Sequence, residues 1–131
     1  MSELVRHQRH YTLEQANAVR GWVAERVHRI QEARAALIAL GEEVAAAVAT
    51  LEPEAGGRYP GRRVARPLVA LSRALSELET VEIVLRDVER GLIDFPAIRD
   101  GEEIYLCWLV DEDEIGFWHD PEAGFAGRQP L

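Results

Sequence analysis

The chain has no lysine: all fifteen of its basic residues are arginine. That excludes Schiff-base chemistry on a side-chain amine. A single cysteine excludes an internal disulfide and any zinc site built on a cysteine pair. No run of about 18 apolar residues occurs, so no membrane span is expected. The opening MSELVRHQRHYTLEQ lacks the apolar core of a secretory leader, so none is expected there. A basic excess is missing as well. The net charge is −8, which argues against a nucleic-acid-binding face. No Gly-x-Ser-x-Gly is present, so the nucleophile turn of a serine hydrolase is absent. These absences leave the expectation of a cytoplasmic protein with neither nucleic acid nor membrane as partner.

What is present is enough to fold. Apolar residues make up 47% of the 131, which suits one domain with its own core. The acids are concentrated: residues 93–122 hold ten of them against one base, Arg99. Thr12 and Gln15 form the pattern of a capping box. From there an apolar residue recurs every seventh position, at Ala16, Val23, Ile30, Leu37, Val44 and Leu51. A sustained period of seven predicts a long helix, about 13–51, with a stripe made to pack along another helix. Pro53 and Gly56-Gly57 are expected to end it, opening a loop over 53–66. A second helix is expected over 67–90, with Pro67 in its first turn, a stripe of Leu68, Leu71, Leu75, Leu78, Val81, Leu85 and Val88, and Gly91 as its stop.

The two helices make an antiparallel hairpin of unequal arms, so the start of the long helix needs another cover. Residues 92–119 supply one. LIDFP, EEIYLCWLV and IGFWH are rich in β-branched and aromatic residues. Asp100-Gly101 and the DEDE run mark the turns, which predicts a three-stranded antiparallel meander. If the last turn centres on Glu112-Asp113, Trp108 faces Phe117 and Leu106 faces His119. His119 then lies on the core face, opposite to Cys107, although a slip of one residue reverses the assignment. Residues 120–131 read as an ordered tail, with Phe125 filling a pocket, glycines allowing close approach and Arg128 pairing with an acid. The fold class is α+β.

The segments YTLEQAN, GLIDFPAIRDGEEIYLCW and FWHDPEAGFAGRQPL resemble the signature segments of an uncharacterised bacterial family, domain of unknown function 2203. The resemblance spans most of the chain and implies the same architecture. Gln15 stands where such proteins often carry a second Glu. No activity, cofactor or site follows from the resemblance.

Candidate ligand-binding residues are His119, Asp94, Trp108, Trp118 and Arg128, around a seam of sheet, long helix and tail. Histidine with a near-neutral pKa suits a base or a metal ligand. Against that, His119 at a strand end is a common structural residue, and Asp94 before Phe95-Pro96 is a common turn acceptor. His119 and Asp94 are metal candidates, with Cys107, His7 and His10 as further donors. No spacing among them matches a known ligand pattern, and no cofactor or catalytic set is expected. The favoured expectation is a non-enzymatic binding or scaffold protein, homodimeric through its helices. The alternative is a ligand- or metal-binding protein, an enzyme among the options, with a pocket around His119.

Overall fold

The computed structural model describes residues 5–50 and 61–131. Leu51, Pro53 and the glycine pair fall outside them, as does most of the expected loop. The helices are α1 (Leu13–Ala18), α2 (Arg20–Thr50) and α3 (Gly61–Thr80). The strands are β1 (Val84–Asp87), β2 (Leu92–Arg99), β3 (Glu102–Leu109), β4 (Phe117–His119) and β5 (Gln129–Pro130), in one sheet of order β1-β2-β3-β4-β5. Every pairing is antiparallel. The class is α+β, and the meander has five strands instead of three.

The capping box forms as the sequence predicts. Gln15 N–H donates to Thr12 Oγ1 at 3.0 Å, and Thr12 N–H donates to Gln15 Oε1 at 3.0 Å. The expected single helix is broken once, at Val19 (φ −100°, ψ 4°). At this break the helix faces the β3–β4 loop. Asn17 Oδ1 accepts from Ile115 N–H at 3.0 Å, and Arg20 donates to the Asp113 carbonyl.

The second helix differs more. It begins before Pro67 and ends at Thr80, not near residue 90. Its end is a Schellman turn: Ile83 N–H donates to the Leu78 carbonyl, and Glu82 N–H to the Glu79 carbonyl, each at 3.0 Å. Glu82 occupies the left-handed position at φ 59°. Leu78 and Ile83 pack in the same core cluster, the apolar contact that accompanies this turn. Leu85 continues the apolar stripe by position but belongs to β1. Gly91 has the expected positive φ (+68°), in the β1–β2 hairpin instead of at a helix end.

The core lies between the helices and one face of the sheet. Ala16, Val23, Val27 and Ile30 of the helices meet Ile93, Phe95, Ile104, Leu106 and Trp108 of the strands. The sheet therefore covers the start of the long helical arm, as the length mismatch requires. Beyond Ala33 no described residue of α2 is buried.

The β3–β4 register is the main correction. The pairs are Tyr105↔His119, Leu106↔Trp118 and Cys107↔Phe117, one residue from the expected Leu106–His119 and Trp108–Phe117. The reason is the connection. It is a wide loop over 110–116, not a tight turn at Glu112-Asp113. Trp108 Nε1–H donates to the Glu112 carbonyl at 2.9 Å, and Leu109 N–H donates to Glu112 Oε1 at 2.9 Å. Ile115, outside any strand, is buried in the core. The slip sends Phe117 and His119 to the outer face and brings Trp118 against the core.

Candidate functional site

The outer face of the sheet carries Leu92, Asp94 and Pro96 of β2, Glu103, Tyr105 and Cys107 of β3, and Phe117 and His119 of β4, as their pairings and alternation require. A face exposed to water would not bury so much; these residues are covered from both ends of the chain. Residues 6–11 cross it from one side. Glu103 accepts the Arg6 and His7 N–H groups at 2.8 and 3.1 Å and pairs with His10 Nε2 at 2.8 Å. Glu82 accepts the Gln8 and Arg9 N–H groups at 3.1 and 3.0 Å. Tyr11 N–H donates to the Pro96 carbonyl at 2.7 Å. Proline is tolerated here because β1 pairs no further along β2 than Asp94, and the Tyr11 segment that meets Pro96 beyond it bonds its carbonyl and not its missing N–H. The tail, residues 120–128, covers the other end.

Between tail and sheet lies a cavity of about 310 Å³, lined by Arg86, Leu92, Asp94, His119, Pro121 and Phe125 among others. Its polar floor joins three strands. His119 Nε2 lies 2.9 and 3.0 Å from the two Asp94 carboxylate oxygens, and both side chains are 2% exposed. His119 Nδ1 lies 2.7 Å from the Asp120 carbonyl oxygen, which only accepts, so Nδ1 carries a hydrogen. Arg86 Nε–H donates to Asp94 Oδ2 at 2.8 Å. Arg86 sits in a β-bulge, between Leu85↔Ile93 and Asp87↔Leu92, which frees it from the ladder beside the acid it pairs with. Tyr105 lies under both cations: its ring is 4.9 Å from the Arg86 guanidinium carbon and 5.5 Å from the His119 ring. Its hydroxyl is 2.8 Å from His7 Nε2.

The electrostatics follow from this packing. Burial alone lowers the His119 pKa, but hydrogen bonds to Asp94, Cys107 and the Asp120 carbonyl outweigh it and push the value up to about 10. The imidazole is thus the positive half of a buried pair. Burial likewise opposes charge on Arg86, and Asp94 more than restores it. Cys107, directly opposite Asp94 on β3, is fully buried. One donor atom each from Asp94, Cys107 and His119 lie within 4.8 Å of one another.

Of the five sequence candidates, Asp94 and His119 meet at this cavity. Trp108 and Trp118 are on the opposite face, in or against the core. Arg128 is not in the cavity lining. It donates to Glu112 Oε2 at 2.8 Å and lies over the Phe117 and Phe125 rings, fastening the tail to the β3–β4 loop. Phe125 lines the cavity and does not fill it. The expected separation of Cys107 from His119 is reversed by the register. Arg86 and Tyr105 were not expected at the site. For Cys107 a signal existed: the two-residue Asp100-Gly101 turn fixes Asp94 opposite Cys107. For Arg86 none did, since β1 reads as helix.

Among the described residues no helix is long and apolar enough to cross a membrane. Comparison with curated proteins and with solved structures gave no match. A family profile described as "Uncharacterized conserved protein (DUF2203)" matches residues 9–131, nearly the whole chain, in agreement with the motifs that lie on β2, β3, β4 and the tail. The chain belongs to the DUF2203 family.

Proposed function

We propose that the protein binds a small anionic ligand in the cavity beneath its tail. The observation that carries this reading is the convergence of Arg86, Asp94 and His119 from three strands onto one 310 Å³ space. Buried ionic groups cost several kcal/mol of desolvation each, so a core that needed only stability would be better served by apolar residues. Asp94 uses its carboxylate on His119 and on one edge of Arg86. The Arg86 side chain is 43% exposed and lines the cavity, where a guanidinium suits a carboxylate or phosphate. Leu92, Pro121 and Phe125 add an apolar wall. The test is protein-observed NMR with benzoate and inorganic phosphate as probes, each at roughly 10 mM, enough to reveal millimolar binding. Shifts at 121–125 that vanish in Arg86→Gln support the reading. No shift there with either probe overturns it.

A second reading, association of two copies through the helices, has its own support. The far half of the hairpin exposes Ile38, Val44, Val48, Leu68, Val69 and Leu75. Val48 is 64% exposed, on a helix stripe that nothing among the described residues covers. Packing two such faces buries apolar area of the kind a standard interface uses. Light scattering on the protein at tens of micromolar should give twice the chain mass, and Val48→Glu should halve it. A monomer in the parent protein removes this reading.

A further inference from the structure

We propose that Asp94, Cys107 and His119 form a three-ligand site for one transition-metal ion of the zinc class, open on its fourth side to the cavity under the tail. The inference rests on the cavity reading above, because that space supplies the open position.

The sheet itself places the donors. Asp94 and Cys107 are directly opposed on β2 and β3, and His119 stands diagonal to Cys107 on β4, two residues beyond its partner Phe117. All three side chains therefore leave the same face of three consecutive strands. On adjacent strands such neighbours start about 4.5–8 Å apart at Cβ, and Asp94 and His119, one strand further apart, reach each other across β3 to 2.9 Å. Here the donor atoms lie within 4.8 Å of one another. Tetrahedral bonds of about 2.0–2.3 Å put donors about 3.3–3.7 Å apart, so only small side-chain movements are required.

The chemistry of each donor agrees. The Asp120 carbonyl holds the hydrogen on Nδ1 of His119, which leaves Nε2, 2.9 Å from Asp94 Oδ1, as the ligand nitrogen. That is the arrangement by which an outer partner orients a metal-bound imidazole. A metal ion replaces the proton that Nε2 otherwise holds between itself and the carboxylate. Arg86 hydrogen-bonds Asp94 from outside and stands as the outer partner of the second ligand. Cys107 is buried next to an imidazole and a carboxylate, a neighbourhood in which a thiol serves no packing need that alanine or valine would not meet. One sulfur, one nitrogen and one oxygen suit zinc and cobalt better than magnesium or calcium, which take oxygen alone. Three protein ligands and one open side is the pattern of reactive zinc sites, not of closed structural ones. A dication with one thiolate and one carboxylate is locally neutral. With Arg86 beside it, the floor is net positive and suits an anion.

The test uses the full chain, stripped with EDTA and then given one equivalent of cobalt(II) or zinc. Cobalt should develop the visible bands of a tetrahedral site and a near-ultraviolet thiolate-to-cobalt band, with one ion per chain. Cys107→Ser should lose the thiolate band and weaken zinc binding by about 100-fold or more, above the 10–100-fold expected from outer partners. Far-ultraviolet circular dichroism checks that this variant is folded. His10→Ala removes a histidine of the other cluster on this face and should leave the spectrum unchanged. No thiolate band in the parent protein overturns the proposal without any variant. Zinc affinity unchanged in Cys107→Ser, or lost in His10→Ala, overturns it as well. The two readings separate: benzoate shifts at 121–125 without a cobalt band remove only the metal site. A cobalt band without anion binding removes only the ligand pocket.

Discussion

Gly91 tests the geometry of the hairpin that aligns Arg86 with Asp94. Its φ is +68°, and a Cβ built there would stand 2.4 Å from Val110 Cγ2 and 3.4 Å from Val110 Cβ. Two separate costs follow for Gly91→Ala. The left-handed backbone costs a non-glycine residue about 1–2 kcal/mol. The overlap costs about 1–3 kcal/mol, because Val110 is stiff at χ1 and its N–H is tied to the Gly91 carbonyl at 3.0 Å. The sum is about 2–5 kcal/mol, on the order of 10 °C in Tm for a chain of this size. Urea unfolding at one protein concentration measures it. Val110→Ala separates the two parts, since it removes Cγ2 and leaves only the 3.4 Å contact. In that background Gly91→Ala should cost only the backbone share, about 1–2 kcal/mol, a coupling of similar size. Equal costs in both backgrounds refute the steric half of the reasoning. A cost below about 0.5 kcal/mol in either background refutes the backbone half.

Three further outcomes are expected. Burial opposes charge on Glu103, but hydrogen bonds from Arg6 N–H, His10 and His7 N–H hold its carboxyl below the usual 4.5. A depressed folded pKa contributes stability above about pH 4.5 that is lost as pH falls through the folded value; the Tm gap between parent and Glu103→Gln should therefore shrink from about pH 6 to about pH 3, and a constant gap contradicts the pairing. Asp94→Asn in EDTA-treated protein leaves His119 and Arg86 without their shared anion and should cost about 3 kcal/mol in urea unfolding at neutral pH; a loss under about 1 kcal/mol would mean the pair is dispensable. Thr12→Ala removes the cap seen at α1 and should cost about 1 kcal/mol; no change in the urea midpoint would show that the cap adds nothing to the folded state.

The site was half legible before the structure. Asp94 and His119 are legible as candidates because a histidine of near-neutral pKa suits a base or a ligand, and an aspartate before Phe95-Pro96 is either a turn acceptor or a binding group. Arg86 is not, because VEIVLRDVE carries apolar residues at a helical spacing that continues from α3. The Schellman turn at Glu82 stops that helix, although glutamate gives no such signal from sequence. Its carboxylate holds the Gln8 and Arg9 N–H groups, a contact between distant parts of the chain that offsets a strained φ. Trp108 and Trp118, expected as lining of the seam, belong to the core face instead, where large aromatics are as readily at home.

By itself the sequence determined the α+β class, the helix start at Thr12, the Asp100-Gly101 hairpin and therefore the pairing of Asp94 with Cys107. Each is a local matter of capping, periodicity or a two-residue turn. Only tertiary structure decided which face His119 occupies. The β3–β4 connection is a seven-residue loop over 110–116, held by Glu112, Asn17 and Arg20, and nothing local sets its register. Strand alternation has a period of two, so that one residue of register moves His119 from the core edge to a place beside Asp94 and Cys107.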